Sequence, residues 1–474
     1  MNSLIWLGAI SFALALIFTP LFRNLFNFFG FVDQPDHDRK IHNRPIPRAG
    51  GVAIAVSYTA SFLIVHLISG LLDQRLALVF KVLPSVVVIF VVGVIDDLWG
   101  LKPWQKLAGQ LVACGIACYS GILIMDIVGV HERAWWTVPV TILWLLASTN
   151  AFNLVDGLDG LAGGVGLFAT LTIFIAALLQ SNLALAMATV PLVGCLLGFL
   201  RYNFAPATVF LGDSGSLAIG FVLGCYGIIW TQKSATLLGM MAPVMALSIP
   251  LLDVGLAIMR RFLRRQPIFS ADRAHIHHRL LDRGMSPRQA AIVLYLLCSV
   301  VAVFSLLYSQ SHNNQVASVI VLVFCAVAWL GIQYLGYAEF TFAGRILLSG
   351  DLQRALRLQM DLNAFEKSLG AASSPESCVK VIQEAAPRFG FVVVRMQLAG
   401  ETAAAQGNPG RLAWEVRVPL GPKDFIELAR DVSNPSAGGA VGPFLDSLRA
   451  QVPDKVIAFA ARRTVARGSE AAVW

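Results

Sequence analysis

The acidic side chains of this sequence gather in short motifs where apolar runs end. Asp96 and Asp97 are adjacent in GVIDDLWG, directly after an unbroken apolar run. A single acidic residue at the end of an apolar run is as typical of the membrane–water interface as of a functional site. Two together raise each other's cost of ionisation and are costly beside a membrane segment. The pair therefore indicates a functional site that holds a cation or a basic phosphate-binding loop.

A second motif, STNAFNLVDGLDGLAGG, follows the pattern NxxNxxDGxDG. Asn150, Asn153 and Asp156 recur every three residues, roughly on one helical face, and Asp159 follows. Asn, Asp and Gly are also common turn formers, so a plain turn is the alternative. Amide and carboxylate oxygens beside an apolar helix favour a hard cation. Mg²⁺ needs only one or two protein oxygens together with water and substrate phosphates.

The motif VFLGDSGS places Asp213 before another apolar run. GDSGS resembles a serine-protease motif, but Ser214 lies at the start of a membrane helix without a soluble His–Asp partner domain. We therefore reject a protease. Ser214 and Ser216 are suited to cap the following helix, and helix N-termini favour phosphate.

Three histidines occur in DRAHIHHRLL: His275, His277 and His278, between Arg273 and Arg279. Adjacent histidines rarely point the same way, whereas catalytic zinc wants three suitably placed ligands. The flanking arginines favour an anionic or sugar-bearing substrate. Zinc binding and a solvated loop stay open as alternatives.

Two further features of the sequence each allow two interpretations. The basic stretch DHDRKIHNRPIPRAGG is either an orientation signal or a loop that contacts phosphate or lipid head groups. Asp253 lies within an apolar run, where acids are costly. It is either functional or paired with Arg260 or Arg261.

The elements that must position these residues are membrane helices. The chain is 57% hydrophobic and 14% charged, with a mean hydropathy of +0.69, which excludes an ordinary soluble enzyme. About eleven runs approach the roughly 20 residues that span a bilayer, and β-barrel alternation is absent from the sequence. The seven cysteines form no CxxC pair and are typical of packed thiols. We predict an all-α polytopic membrane protein with about eleven transmembrane helices.

Eleven crossings place alternate loops on the same side of the membrane. One set of loops contains most of the Lys and Arg and nearly all of the acidic motifs, and the net charge of +8 records this orientation rather than nucleic-acid binding. By the positive-inside rule this set is cytoplasmic. It comprises residues 23–50, 96–103, 152–160, 201–214 and 260–289.

The C-terminal region has a different composition. Residues 1–337 hold 20 Lys/Arg and 14 Asp/Glu, whereas the much shorter 338–474 holds 16 and 14. We predict a membrane domain over 1–337 and a soluble, cytoplasmic α/β accessory domain over 338–474. Within it, FVVVRMQL and LAWEVRVPL read as strands and GETAAAQGNPG as a loop. Its expected role is regulation or docking of a partner.

In this order, the motifs closely resemble those of the polyprenyl-phosphate N-acetylhexosamine-1-phosphate transferases over roughly residues 10–337. FSADRAHIHHRLL is similar to the N-acetylglucosamine branch, and the sequence lacks the three consecutive histidines of the peptidoglycan branch. The resemblance implies transfer of N-acetylglucosamine-1-phosphate from UDP-N-acetylglucosamine to undecaprenyl phosphate, with release of UMP. This is the first membrane step of cell-envelope polysaccharide synthesis, at the bacterial inner membrane.

The same resemblance implies Mg²⁺ as cofactor, with Mn²⁺ as an alternative, and it assigns roles by motif position. Metal contacts fall to Asn153 and Asp213. The catalytic acids are Asp96 and Asp97, placed near the attacking lipid phosphate, and Asp156 and Asp159, which help hold the uridine or the site's hydrogen bonds. Substrate-binding residues are Phe210, which stacks on uracil, and His275, His277, His278, Arg279, Arg39, Lys40 and Arg48.

Two rival functions remain. The same chemistry with another UDP-N-acetylhexosamine is the first, and a membrane transporter is the second. Transporters tend to show internal repeats and broken helices at mid-membrane, whereas here the acids gather at helix ends on one face. The expected partners also include membrane lipid, a second copy of the chain in a homodimer and a regulatory partner of the C-terminal domain. Nucleic acid is not an expected partner.

Overall fold

The computed structural model describes residues 2–34, 45–69, 76–124, 135–231, 240–263, 275–311, 313–336, 351–398, 401–406, 413–421, 424–431 and 441–470. The chain divides into two units, Met1–Tyr337 and Ala338–Trp474. The division falls where the density of charged residues changes. Arg39 and Lys40 of the basic stretch lie outside the described residues.

The first unit, which we call the membrane unit, is helical apart from one short antiparallel pair of strands. In chain order its elements are α1 (Asn2–Phe29), β1 (Val32–Asp33), β2 (Ile46–Pro47), α2 (Gly50–Ser69), α3 (Ala77–Trp99), α4 (Pro103–Tyr119), α5 (Thr137–Val155), α6 (Leu161–Leu179), α7 (Leu183–Asn203), α8 (Gly212–Thr231), α9 (Met241–Ala246), α10 (Ser248–Leu263), α11 (Ile276–Asp282), α12 (Pro287–Gln310) and α13 (Asn314–Leu335).

Nine helices among the described residues are long and apolar enough to cross a membrane, which makes the chain a multi-pass membrane protein. The other two predicted crossings differ from simple spans. α4 has 17 residues, and the ninth apolar run forms two helices, α9 and α10. Pro250 explains the break, because it has no N–H to donate to the carbonyl of Ala246 four residues earlier.

Helix α8 lies at the centre of the membrane unit. In its most apolar window 83% of the residues are buried, against 6% for the peripheral α13. Glycines allow α2 and α3 to approach the first turn of α8. A Cβ atom on Gly51 would lie 2.3 Å from Gly215 N, and one on Gly93 would lie 2.5 Å from Ser214 Cα. The packing therefore fixes the start of α8 against two neighbouring helices.

The second unit packs helices on a four-stranded antiparallel sheet. Its elements are α14 (Asp351–Ala371), α15 (Pro375–Ala385), β3 (Val393–Leu398), β4 (Glu401–Gln406), β5 (Ala413–Pro419), β6 (Phe425–Asp431) and α16 (Val441–Glu470), with strand order β4–β3–β6–β5. The core includes Phe365, Phe389 and Phe444. These elements confirm a soluble-type α/β region after the membrane helices.

The loop predicted at GETAAAQGNPG is wrong in its first half. Residues 401–406 form β4, and Ala404 pairs with Arg395 of β3. Alanine has little intrinsic preference for strands, so the sequence pattern gave no strand signal. The strand forms because residues 401–406 pair antiparallel with β3 along its whole length.

Candidate active site

Asp97 caps the N-terminus of α8. Its Oδ1 accepts a hydrogen bond from Asp213 N (2.8 Å), and its Oδ2 accepts one from Ser214 N (2.9 Å). Gly212 has φ +74°, and a Cβ atom there would lie 2.7 Å from Asp97 Oδ2. A carboxylate at this place satisfies two helix N–H groups and complements the helix dipole. Asp97 therefore positions Asp213, as well as carrying charge.

Asp96, its neighbour, points to α4 instead. Its Oδ1 accepts a hydrogen bond from Leu101 N (2.6 Å), and its Oδ2 forms an ion pair with Lys106 Nζ. The same ammonium donates to Asp213 Oδ2 (2.6 Å). Lys106 thus joins the two carboxylates of Asp96 and Asp213, which come from distant parts of the sequence.

The sequence reasoning missed Lys106. The available signal was one lysine within α4, a helix that otherwise carries no charged side chain. Such a charge is costly beside hydrocarbon unless it meets an acid. Here it meets two.

Asn153 and Asp213, the two predicted metal contacts, lie together. Asn153 Nδ2 donates to Asp213 Oδ1 (2.7 Å) and to Ser216 Oγ (3.0 Å). Neither hydrogen bond involves Asn153 Oδ1, the acceptor atom of the same amide. The two predicted ligands are therefore neighbours in space, although 60 residues separate them in sequence.

Asn150, three residues before Asn153 on α5, has a different partner. Asn150 exchanges hydrogen bonds with Gln110 of α4, at 2.9 and 3.2 Å. Its amide is used for packing between α4 and α5. Moreover, α5 ends at Val155, so Asp156 lies beyond the helix and not on its face.

The DGLDG turn after α5 carries two acids with different partners. Burial raises the pKa of Asp156 well above its usual value, the charges of Asp213 and Asp97 raise it further, and Arg48 lowers it. Asp159 Oδ2 accepts a hydrogen bond from Ala207 N (2.9 Å), which ties the turn to the segment that leads into α8. Asp156 therefore lies in the group of charged residues around Asp213. Asp159 instead hydrogen-bonds to the segment that leads into α8.

Phe210 lies in that same segment and is half-buried. Its N–H donates to Pro47 O (2.9 Å), and its carbonyl accepts from Gly50 N (3.0 Å). These bonds fasten the segment before α8 to the start of α2. They also bring Arg48 close to the acids.

Arg48 Nη2 lies 2.6 Å from Asp33 Oδ1. Burial opposes the charge of Arg48, but the carboxylates of Asp33, Asp97 and Asp213 together outweigh burial and raise its pKa. Asp33, Arg48 and Asp97 also line a polar pocket of about 200 Å³. Of the predicted basic residues in this loop, Arg48 is thus at the site.

The histidine motif is held by Asp253. Asp253 Oδ2 lies 2.9 Å from His275 Nδ1, and Oδ1 accepts from Ile276 N (2.8 Å). Asp253 and His275 are 2% and 6% exposed. The structure therefore gives Asp253 a partner that the sequence reading did not consider, the imidazole of His275.

His277 faces the DGLDG turn. A Cβ atom on Gly157 would lie 2.9 Å from His277 Nε2, so α11 and the turn are in close contact at this glycine. Burial and the neighbouring His278 lower the pKa of His277 to about 4, which keeps its ring neutral at pH 7. The ring stacks on His275 at 5.8 Å and lies 4.3 Å from His278. Arg279 follows in the same short helix.

The donor set fits a magnesium ion that substrate phosphates help to hold. Among the described residues, no three His, Cys, Asp or Glu side chains converge as a complete metal cage. Mg²⁺ characteristically uses one or two carboxylates and completes its shell with water and phosphate oxygens. Asp213 and Asn153 Oδ1 offer hard oxygen donors. Burial raises the pKa of Asp156 first, and the nearby carboxylates of Asp213 and Asp97, whose charge a cation would offset, raise it further.

Comparisons with known proteins point to the same region. A family model described as "Glycosyl transferase family 4" matches residues 79–231, which contain Asp96, Lys106, Asn153 and Asp213. A Bacillus subtilis protein named "Probable undecaprenyl-phosphate N-acetylglucosaminyl 1-phosphate transferase" is 36% identical over 294 residues, 61% of this chain and 80% of the relative.

Two further relatives have similar names. A "Decaprenyl-phosphate N-acetylglucosaminephosphotransferase" of Mycolicibacterium smegmatis is 35% identical and covers 58% of this chain and 74% of the relative. An "Undecaprenyl-phosphate alpha-N-acetylglucosaminyl 1-phosphate transferase" of Escherichia coli is 27% identical, covering 62% and 82%.

Proposed function

Since this chain belongs to the polyprenyl-phosphate N-acetylhexosamine-1-phosphate transferases, we propose that it transfers N-acetylglucosamine-1-phosphate from UDP-N-acetylglucosamine to undecaprenyl phosphate and releases UMP. It is a phosphoglycosyl transferase embedded in a membrane by several helices. The names of the Bacillus and Escherichia relatives support undecaprenyl phosphate as acceptor. The mycobacterial relative is named for decaprenyl phosphate, so the acceptor's chain length is part of the proposal.

One observation carries the proposal: Lys106 lies between the carboxylates of Asp96 and Asp213, with Asn153 bonded to the latter. This cluster lies at helix ends and not in the middle of the membrane unit. The Arg48 loop, the DGLDG turn and α11 all border it. Such a site can gather phosphates of two substrates, one soluble and one in the bilayer.

The chemistry exchanges one phosphoanhydride for another, so the main barrier is to bring two anions together. The second pKa of a phosphate monoester is about 6, so the lipid phosphate is largely dianionic at pH 7 and attacks without a strong base. We assign Asp96 to holding the Lys106 ammonium in place. Lys106 and Arg48 offset negative charge as the acceptor phosphate approaches the donor diphosphate.

We assign the metal to Asn153 and Asp213. A bound Mg²⁺ supplies charge neutralisation to the donor diphosphate. Asp97 contributes by fixing the backbone at Asp213 through two hydrogen bonds. Asp156 lies beside Asp213 and Asp97, whose charges raise its pKa, and a bound cation would favour its ionised form.

The donor end is assigned to the segment before α8 and to α11. Phe210 is half-buried on a segment that hydrogen bonds fasten at both sides, which suits a ring that stacks on uracil. His277 lies beside the DGLDG turn, and His275, His278 and Arg279 occur with it at the start of α11. These side chains are suited to donate hydrogen bonds to the sugar or diphosphate.

We place the cluster on the cytoplasmic side of a bacterial inner membrane. The loops that meet at the site belong to the set that contains most of the Lys and Arg, and the positive-inside rule puts that set in the cytoplasm. UDP-sugars are cytoplasmic, so this side also suits the donor. The region after residue 337 is assigned to the same side, as a regulatory or docking unit.

The test is direct. Purified full-length protein is incubated with undecaprenyl phosphate, Mg²⁺ and a panel of UDP-N-acetylhexosamines, and UMP release is measured. We expect UDP-N-acetylglucosamine to be the best donor. A faster rate with N-acetylgalactosamine or a deoxy sugar would move the proposal to that sugar, and no UMP with any donor would overturn it.

A further inference from the structure

The DGLDG turn is contacted at both of its ends by two consecutive helices, α11 and α12. Near its start, the His277 ring of α11 lies against Gly157. At its end, the Tyr295 hydroxyl of α12 donates a hydrogen bond to Gly160 O (2.6 Å). The turn is therefore held between the helix that carries the histidines and the helix that follows it.

The Tyr295 ring is packed closely where it meets the turn. A Cβ atom on Gly164 of α6 would lie 2.1 Å from the ring, and the ring centroids of Phe168 and Phe204 are 5.7 and 6.2 Å away. Gly160 has φ +76°, and a Cβ atom there would lie 3.1 Å from Phe204. This packing leaves the ring little freedom, so its hydroxyl has a defined position.

Two elements assigned to the donor depend on the position of this turn. The His277 ring lies against its start, and Asp159 Oδ2 accepts a hydrogen bond from Ala207 N (2.9 Å), in the segment that leads to Phe210. Gly160 directly follows Asp159 in the chain. A displacement of Gly160 would therefore move both the acceptor of the Ala207 bond and the surface on which the imidazole rests.

The hydrogen bond of Tyr295 has a simpler explanation as well. A tyrosine hydroxyl that leaves water needs a partner, and any carbonyl would satisfy it. The partner here, however, is the Gly160 carbonyl, which also accepts from Gly164 N (2.9 Å) at the first turn of α6. The hydroxyl thus joins three elements at one atom: the turn, α6 and α12.

We propose that Tyr295 is a positioning residue for the UDP-sugar, because its hydroxyl holds the end of the DGLDG turn and thereby places His277 and the Phe210 segment before the donor binds. This inference rests on the proposed function. Without the hydroxyl, the turn samples other conformations and the donor must order it on binding, which costs affinity. Asp96 and Lys106 lie on α3 and α4, so the effect should be confined to the donor.

The first test removes a single oxygen atom. Tyr295→Phe keeps the packed ring and deletes the hydroxyl. We expect KM for UDP-N-acetylglucosamine to rise about fivefold, which corresponds to about 1 kcal/mol, the usual net contribution of one hydrogen bond. The KM for undecaprenyl phosphate and the half-saturating Mg²⁺ concentration should stay nearly unchanged. A purely structural role would lower thermal stability without separating the donor from the acceptor.

Tyr202→Phe is the matched control. The Tyr202 hydroxyl also donates to a backbone carbonyl, Leu16 O of α1 (3.0 Å), so the substitution removes the same kind of bond between two other helices. It should lower thermal stability by a similar amount and leave the donor KM unchanged. An unchanged donor KM in Tyr295→Phe, or an equal rise in both variants, would overturn the proposal. Absence of any transfer by the wild type would overturn the proposed function instead.

A second measurement needs no turnover. Hydrogen exchange of the full-length protein in detergent, read by mass spectrometry, reports how often the amides of residues 156–164 open. Exchange in this peptide should be faster in Tyr295→Phe than in wild type or Tyr202→Phe, and saturating UDP-N-acetylglucosamine should slow it again. Unchanged exchange in Tyr295→Phe would show that the turn is held without the hydroxyl, which contradicts the proposal.

Discussion

The two units of the chain differ in how deeply they bury charged side chains. In the membrane unit Asp96, Asp253 and Arg260 are 6%, 2% and 1% exposed, and His275 and His277 are buried as well. Among the described residues of the C-terminal unit, the buried polar side chain is the hydroxyl of Ser447. The ion pairs there, such as Arg388 with Asp361 at 3.7 Å, are exposed.

This difference locates the chemistry. Burying a charge costs several kcal/mol unless a partner offsets it, whereas an exposed pair contributes between zero and about 1 kcal/mol. The membrane unit accepts that cost at helix ends, where Lys106, Asp96 and Asp213 meet. The C-terminal unit avoids it. Changes to charge should therefore remove activity in the first unit and leave it nearly intact in the second.

The largest effect is expected from Asp213→Ala, with Asn153→Ala close behind. Each should reduce transfer about 100-fold or more while the protein still inserts, because each removes a group that holds charge at the reacting phosphates. Where activity survives, the half-saturating Mg²⁺ concentration should rise. Steady-state assays over a Mg²⁺ titration measure both quantities.

Asn182→Ala is the matched control for Asn153→Ala. Asn182 caps α7 at the far end of α6, away from the site, and accepts from Leu185 N. Its loss should cost about 1 kcal/mol of stability and leave the Mg²⁺ requirement alone. Near-normal turnover of Asp213→Ala at unchanged Mg²⁺ dependence would mean that the metal assignment is misplaced.

Lys106→Met should follow, with a loss of about 10- to 100-fold in kcat, because Asp96 and Asp213 then face each other without a cation. Lys106→Arg should recover part of the rate. Lys81→Met is the control, because Lys81 lies at the start of α3, at the opposite end of that helix from Asp96. Its Nζ donates to Gly121 O. It should behave like wild type, and identical behaviour of the two Met variants would remove Lys106 from the mechanism.

Asp96→Asn separates positioning from proton removal. If Asp96 holds Lys106, kcat should fall about tenfold, while the acidic limb of the pH–rate profile stays near the second phosphate pKa of about 6. Profiles from pH 5 to 9 for wild type and variant measure this. Loss of that limb in the variant would assign Asp96 the role of general base.

Asp253→Asn should have an effect of similar size, about tenfold, comparable to losing an outer partner of a catalytic side chain. The amide still accepts from Ile276 N but no longer offers a carboxylate oxygen to His275 Nδ1. Combined with His275→Ala, the substitution should add little further loss. Full additivity in kcat would show that Asp253 acts independently of the imidazole.

The smallest effect is expected from truncation after Arg345. All proposed site residues occur at or before Arg279, so the truncate should insert and transfer within a few-fold of the full chain in detergent. Changes in regulation or localisation should appear in cells. A folded truncate without any transfer would mean that the C-terminal unit supplies part of the site.

Sequence reasoning located the motifs but not their division of labour. The DD, NxxNxxDGxDG, GDSGS and HIHH segments do meet, because each follows or precedes an apolar run that ends on the same side. Spacing alone could not show that Asp97 caps α8 while Asp96 faces Lys106. Adjacent residues on a helix point about 100° apart, and only the neighbouring helices decide what each one meets.

Other details depend on contacts that spacing does not encode. Asn150 matched the periodicity of Asn153, yet it pairs with Gln110 on α4. The ninth run read as one span because its hydropathy is continuous, although Pro250 breaks it into α9 and α10. Asp253 lies near Arg260 and Arg261 in sequence, but the imidazole it contacts belongs to His275, 22 residues later and just before α11.

The central claim is that the membrane unit moves a sugar together with its phosphate. UDP-N-acetylglucosamine labelled with ³²P at the β-phosphate distinguishes this from transfer of the sugar alone. With purified protein, undecaprenyl phosphate and Mg²⁺, the account predicts that the label enters the lipid product in amounts equal to unlabelled UMP, and that Asp213→Ala abolishes this while Asn182→Ala does not. Label retained in UDP, or lipid labelling unaffected by Asp213→Ala, would contradict it.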